Sequence, residues 1–289
     1  MSFPTWPSTM AAQDSIDLHM HTTYSDGHWA PSELFGYLAA HQFTLVAVTD
    51  HDRVDRLDEM FELGREHDVS VLTGVEVTTD WDGRMTHLLC YGFDPARGAL
   101  ATLTQRTFDE QLANTHAVYA ELLRRGHSFP RQAEILAATQ GELDRPVDNA
   151  KLLRDHGYVT DIQSGITAIR DAGFRSITAP LADAVAASHA DGGIAIIAHP
   201  GRGDSGITHY TVPLLEELAT TGIPLDGIEV YYPLYTPEQV NAYATLANTQ
   251  NWLLSAGSDS HGPRQRYPIA YRAYQIAALL ARCGITLAY

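Results

Sequence analysis

Six strand-length apolar runs constrain this chain more than anything else in it. SIDLHMH (15–21), FTLVAVTDH (43–51), VSVLTGVEV (69–77), GIAIIAHPG (193–201), LDGIEVYYP (225–233) and WLLSAGSDSH (252–261) are rich in β-branched residues and carry polar or metal-binding side chains at or near their ends. Runs of this kind read as buried strands. Helix-like stretches fall between them at 31–42, 54–68, 212–222 and 236–250. The last opens with Thr236, Pro237 and Gln239, which suit an N-cap, a proline at the first helical position and a capping-box partner. Strands alternating with helices predict an α/β fold with a parallel sheet. A (β/α) barrel is its economical form, with the chemistry gathered at the strand C-termini.

Residues 94–179 break the rhythm, with helical patterning and no convincing buried strand. The expected organisation is a metal-binding barrel at 14–93 and 180–289, a helical insert at 94–179 and an N-terminal extension at 1–13. Because the insert is taken to leave from the end of the fold that carries the chemistry, it is expected to act as a lid for substrate binding.

The side chains at the strand ends form a pattern of their own. His19 and His21 stand two apart, so in a strand both rings face one way, and Asp259 and His261 repeat that geometry. Asp50 and His51 are adjacent and point apart, so one of them is a direct ligand. His51 is favoured, leaving Asp50 to orient a ligand histidine from behind. Asp26, Glu76 and His199 complete a set of imidazoles and carboxylates too large for one four-coordinate zinc, which suits two or three ions sharing a carboxylate. Mixed nitrogen and oxygen donors fit Mn²⁺, Fe²⁺ or Zn²⁺. His87, in RMTHLLCYGF, precedes its apolar run. Either its strand returns as a hairpin across Trp81–Gly83, bringing His87 to the other ligands, or His87 is a core histidine.

Charge narrows the partners. A net charge of −16 with 19 basic residues argues against duplex nucleic acid or an anionic membrane surface held by general electrostatics. An anionic substrate needs local positive charge, which metal ions in an acidic site provide. Cys90 and Cys283 lack CxxC spacing and read as buried thiols in a reducing compartment. With no signal-peptide pattern or membrane-length apolar stretch, the expected location is cytoplasmic.

Taken in order, DLHMHTTYSDG, VTDHD, GVEV, HLLCYGFD, IAHPG, GIEVYYP and GSDSHGP resemble the PHP (polymerase and histidinol phosphatase) superfamily. The closest likeness is to its stand-alone YciV/TrpH-like nucleotide phosphoesterases. The resemblance implies a distorted (β/α)7 TIM-like barrel with a helical insertion and a trinuclear centre. His19, His21, Glu76 and Asp259 would hold one ion, Glu76, His87 and His199 a second, and Asp26, His51 and His261 a third. It also implies hydrolysis of phosphate esters by a metal-bound hydroxide at the bridging Glu76. The expected substrate is a small phosphorylated molecule, foremost the 3′-phosphate of nucleotides such as adenosine 3′,5′-bisphosphate, with short RNA degraded 5′ to 3′ as a further substrate. Two positions depart from the family pattern: Val147 follows Arg145 and Pro146 where Arg-Pro-His is common, and Arg53 replaces a small residue after TDH.

Arg145 and Arg202 are the candidate phosphate clamps, since a guanidinium can bind two phosphate oxygens at once. Tyr232, with Tyr231 and Tyr235, is a candidate for lining the pocket. Competing readings are a histidinol-phosphate-type or other small-molecule phosphatase, an amidohydrolase-like enzyme and a non-catalytic metal-binding PHP module. The sole lysine, Lys151, lies in the insert, which removes the carboxylated-lysine form of amidohydrolase.

Overall fold

The computed structural model of the chain describes residues 6–203 and 206–289. Its strands are β1 (Thr9–Ala11), β2 (Ser15–Asp17), β3 (Phe43–Val46), β4 (Ser70–Val71), β5 (Gly74–Trp81), β6 (Arg84–Tyr91), β7 (Ala179–Pro180), β8 (Ile194–Ile197), β9 (Gly227–Tyr231), β10 (Leu253–Ala256), β11 (Tyr271–Arg272) and β12 (Thr286–Ala288). Its helices are α1 (Pro31–Ala40), α2 (Leu57–Glu66), α3 (Ala99–Arg124), α4 (Gln132–Ile135), α5 (Pro146–Asp155), α6 (Ile162–Asp171), α7 (Leu181–Ala190), α8 (Val212–Ala219), α9 (Pro237–Gln250) and α10 (Ala277–Arg282). Five of the six expected strands and all four expected helices are present, while the run at 69–77 is broken into β4 and β5, which belong to different sheets. α9 starts with the expected capping box, in which Thr236 and Gln239 each accept the other's backbone N–H. Of the expected N-terminal extension, residues 1–5 lie outside the described residues, and β1 pairs in parallel with β12.

The fold is mixed α/β. One sheet runs β10-β9-β8-β6-β5-β7 and another β11-β2-β3-β4. The two are joined at both seams by a few backbone hydrogen bonds and isolated bridges in place of a named strand pairing. At one seam Leu18 N–H donates to Ala256 O at 3.2 Å and Met20 bridges Ser260; at the other Glu76 N–H donates to Thr49 O at 3.2 Å and His51 bridges Glu76. Residues alternate along each strand, so Leu89 and Tyr91 join a cluster with Ile16, Leu18, Leu45 and Ile196. Leu88 and Cys90 face the other way, into a cluster that includes Leu34, Phe35 and Leu38 of α1.

The sheet is not wholly parallel as expected. β6 runs antiparallel to both β5 and β8, because Asp82 and Gly83 close a two-residue turn with φ of 53° and 71°. Two successive left-handed residues, the second glycine, are what a type I′ hairpin requires. Reversing β6 puts its first residues, not its last, beside the ligand-bearing ends of its neighbours. It also corrects the expected course of the chain into the insert. Tyr91 pairs with Gly74 and Ile194, at the strand starts, so the chain leaves β6 at the end remote from His87. It returns at β7, which pairs with Thr79 and Asp80 near the other end of β5.

A second compact unit covers residues 105–177, narrower than the expected 94–179, and among its described residues it is helical and without strands. The difference at its start arises because α3 begins in the first unit, where the Asp191 carboxylate accepts the N–H groups of Ala99 (3.0 Å) and Leu100 (2.8 Å). The helical unit has its own core, including Val118, Leu122, Phe129, Leu136, Leu152 and Ile169. No helix among the described residues is long and apolar enough to cross a membrane.

The hairpin sets the register of His87. Gly83→Ala would place a Cβ at a left-handed position and is expected to destabilise the protein by about 1–2 kcal/mol, measured as a lowered midpoint in urea unfolding.

Candidate metal centre

The runs that form the strands continue past them as irregular segments, and the ligand-type side chains sit on these continuations. His19 and His21 follow β2, His51 follows β3, His199 follows β8, and Asp259 and His261 follow β10. Glu76 and His87 lie within β5 and β6. Two of these positions have unusual backbones, His199 with φ of 25° and Asp259 with φ of 52°. Left-handed conformations cost energy in residues with a Cβ and recur where a side chain must be aimed at a functional centre.

Glu76, 1 % exposed, is the hub. Its Oε2 lies 3.0 Å from Nε2 of both His19 and His21 and 3.5 Å from His51 Nε2. Its Oε1 lies 2.9 Å from His87 Nδ1 and 3.0 Å from His199 Nε2. Asp259 joins through Oδ1, which is 3.2 Å from His21 Nε2, 3.4 Å from His261 Nδ1 and 3.5 Å from His19 Nε2. At the partly exposed edge, Asp26 Oδ2 is 3.1 Å from His261 Nε2 and its Oδ1 is 3.8 Å from His21 Nδ1 and His51 Nε2.

Three overlapping groups have donor atoms within 4.8 Å of one another: His19, His21, Glu76 and Asp259; His21, Asp26, His51 and His261; and His51, Glu76 and His87. The first matches the expected set for one ion. The second adds His21 to the expected trio. In the third His51 takes the place expected for His199, which reaches the cluster through Glu76.

The donors do not satisfy one another, and this supports a fit to metal ions. Buried His21 Nε2, His51 Nδ1 and His199 Nδ1 have no hydrogen-bond partner, although His21 Nε2 stands within contact distance of two carboxylates. A buried polar atom left unpaired is costly, and a cation beside His21 Nε2 removes that cost, whereas Nδ1 of His51 and of His199 lies on the ring edge opposite the Nε2 that faces Glu76. The charge distribution agrees. Burial alone would lower the His21 pKa, but the Asp259 and Glu76 carboxylates beside Nε2 outweigh it and raise it to about 10. His19 is likewise lowered by burial and raised further by Glu76, Glu229 and Asp259, ending well above the usual imidazole value. Burial works against ionisation of Glu76, yet the surrounding imidazoles hold its pKa well below normal. The cluster therefore keeps its carboxylates ionised and attracts positive charge.

Around the donors lies a shell that sequence reasoning located only in part. Glu229, fully buried, accepts on Oε1 from His19 Nδ1 at 3.0 Å and on Oε2 from the His199 N–H at 2.8 Å. It fixes the His19 ring so that Nε2 faces Glu76, the role carboxylates take behind metal-binding imidazoles. Gly257 makes room for this pair, since a Cβ there would lie 2.1 Å from His19 Cβ and 2.8 Å from Glu229 Oε1. Asp17, also missed, accepts N–H groups from Ser258 and Ile269, each at 2.9 Å, and so ties the end of β2 to the segment carrying Asp259. The signal available for both was a charged residue inside an apolar strand, which is rarely buried without a dedicated partner.

Asp50 does not reach a ligand histidine directly. Its carboxylate accepts from Thr22 N (2.7 Å), Thr22 Oγ1 (2.6 Å) and Ser25 Oγ (2.7 Å), bracing the turn that carries Asp26. Arg202 Nη1 donates to Asp259 Oδ2 at 2.9 Å, and the Tyr232 hydroxyl donates to the same oxygen at 3.0 Å. Tyr235 accepts from Gly201 N at 2.6 Å, while Tyr231 is half-buried in β9. Arg145 belongs to the helical unit, at the start of α5, with its Nε 3.7 Å from Asp148 Oδ1. Arg266, not singled out from the sequence, donates to Ser258 O at 2.5 Å and lies over the Tyr232 ring, 5.3 Å from its centroid.

Comparison with known proteins agrees with this geometry. The chain is 31% identical over 253 residues to the 3′,5′-nucleoside bisphosphate phosphatase of Chromobacterium violaceum, covering 86% of this chain and 88% of that protein. It is 29% identical over 252 residues to a 5′-3′ exoribonuclease of Haemophilus influenzae, covering 86% and 90%. Among solved structures, one from Bifidobacterium adolescentis described as a candidate metal-dependent phosphoesterase superposes with a TM-score of 0.77 at 23% identity, covering 93% of this chain and 96% of that one, a likeness of fold. The PHP domain profile matches residues 17–174. By sequence and by the relatives it matches along most of its length, the chain belongs to the PHP domain family.

Proposed function

We propose that this protein is a metal-dependent phosphoester hydrolase acting on the 3′-phosphate of small nucleotides such as a nucleoside 3′,5′-bisphosphate, with short RNA as a further substrate. The observation that carries the reading is the convergence of five imidazoles, those of His19, His21, His51, His87 and His199, on the two oxygens of one buried carboxylate, Glu76. The names of the two relatives, one a nucleotide phosphatase and one a nuclease, support the substrate class. In this reading β2, β3, β5, β6, β8, β9 and β10 form the distorted seven-stranded barrel of the family, and the contacts at both sheet seams support it.

His19, His21, Glu76 and Asp259 would hold one divalent ion, Glu76, His87 and His199 a second, and Asp26, His51 and His261 a third; Mn²⁺, Fe²⁺ and Zn²⁺ suit these donors. Such ions bring the pKa of water to about 7 from 15.7 and withdraw charge from a phosphoryl oxygen. The chain's own residues do the rest. Glu76 presents one oxygen to each side of the cluster, and Glu229 keeps the His19 ring turned toward it. Arg202, already beside Asp259, offers a guanidinium to a phosphate, whose geometry a fork of N–H donors matches. Tyr232 positions Asp259 by its hydroxyl and is assigned that part in preference to stacking on a base.

The direct test loads purified protein with Mn²⁺ and offers nucleoside 3′,5′-bisphosphates, 3′- and 5′-monophosphates, short RNA and amides. Phosphate release from the bisphosphate at the highest kcat/KM is expected; release of phosphate from no substrate would overturn the reading. Glu76→Gln keeps the shape and removes the charge, and elemental analysis should show loss of at least one ion per chain. With the His21 pKa raised to about 10, the metal-free protein carries a proton there at neutral pH that a bound ion must displace. Calorimetric titration in buffers of different ionisation enthalpy should therefore show proton release on loading, with apparent affinity rising as pH rises toward 10.

A further inference from the structure

The segments carrying Asp26 (residues 22–28) and Asp259 with His261 (residues 258–266) belong to no strand or helix, yet they must meet to about an ångström for His261 Nε2 and Asp26 Oδ2 to sit 3.1 Å apart. Trp29 touches both. Its carbonyl accepts the Thr23 N–H at 2.9 Å, closing the Asp26 turn. Its indole Nε1–H donates to Ser260 Oγ at 3.1 Å, at the residue between the two ligands. Ser260 Oγ donates onward to Arg266 O at 2.6 Å, and Arg266 Nη1 returns to Ser258 O at 2.5 Å, so the bond continues into a closed circuit around Asp259 and His261.

The ring itself is held. Trp29 is 5 % exposed and packs against Tyr37 and Tyr267, with centroids 5.4 and 5.7 Å away, and those two tyrosines pack on each other at 5.2 Å. An indole fixed on its apolar faces has one N–H, with a single direction in which to donate. Next to it, His28 N–H donates to His261 O at 2.6 Å, a backbone cross-link between the same two segments.

We propose that Trp29 is a positioning residue for the third ion of the proposed set, at Asp26, His51 and His261, acting through Ser260 to keep His261 against Asp26. This rests on the metal-dependent reading above and assigns a function to a residue that touches neither ion nor substrate. The buried group formed by His19, His21, Glu76 and Asp259 is braced separately by Glu229 and Asp17, so losing the indole bond acts on one ion of the set.

The test uses Trp29→Phe, which keeps an aromatic ring between the tyrosines and deletes the donor, and Ser260→Ala, which deletes its acceptor. Mn²⁺ binding is followed without substrate, by the electron paramagnetic resonance signal of free Mn²⁺, together with thermal melting. Each variant is expected to bind one ion about 10-fold or more weakly, as loss of a partner behind a ligand typically does, with the other dissociation constants unchanged. The double variant should be no worse than Ser260→Ala alone, which already removes the indole bond together with the bond to Arg266. Unchanged binding of every ion, or equal weakening of all of them with a lowered Tm, would overturn the assignment. A wild type that binds ions but cleaves no phosphoester would remove the proposed function and leave the Trp29 assignment standing, whereas a wild type that takes up no ions overturns both.

Discussion

A carboxylate buried to 1 % and surrounded by imidazoles is the constraint on which the rest of this structure turns. Glu76 cannot be removed from water unless its charge is matched, because an isolated buried carboxylate is prohibitively costly. The chain matches it with nitrogen donors drawn from strand ends scattered over most of its length. Each of those strands must keep its register, since a slip of one residue would turn a ligand to the opposite face. The alternation that sends Leu18 into the core and leaves His19 and His21 at the cluster is thus both a packing requirement and a chemical one.

The supports around the cluster follow from the same constraint. A hairpin reverses β6 so that a histidine near the start of a strand arrives where other strands deliver their ends. Glu229 and Asp17 occupy strand positions that would otherwise be apolar, and each hydrogen-bonds a segment that carries a ligand. Gly257 is required by close approach, because any side chain there would collide with His19 and its carboxylate partner. These residues contact the segments that carry the cluster's donors. Their effect is on the aim of those donors.

Much of this was legible in the sequence because the physics is local. Two histidines one residue apart on a strand must share a face, and capping residues at Thr236 and Gln239 act within a single turn. Spacing alone left His87 open between two readings, the family resemblance favoured the ligand, and the paired left-handed residues Asp82 and Gly83 show the chain doubling back as the hairpin reading expects. The same reversal corrected the expected exit of the chain toward the helical unit, which no property of residues 94–104 announces. Glu229 and Trp29 were not singled out because their partners lie 210 and 231 residues away. A long-range hydrogen bond leaves no periodicity in the chain that forms it. Tyr232 was legible as a pocket residue but not in its role, since the direction of a hydroxyl depends on a carboxylate from another strand.

His199 and Asp259 occupy a backbone region that residues with side chains ordinarily avoid, at a cost of roughly 1–3 kcal/mol each. Folding to this arrangement is uphill at both positions, and a divalent cation bound more tightly by the folded form than by the unfolded chain would offset that cost by mass action. The fraction of molecules correctly folded, and with it resistance to proteolysis in the cell, then becomes tied to the free concentration of such cations. Starvation for the metal would thin out the protein itself as well as silence it.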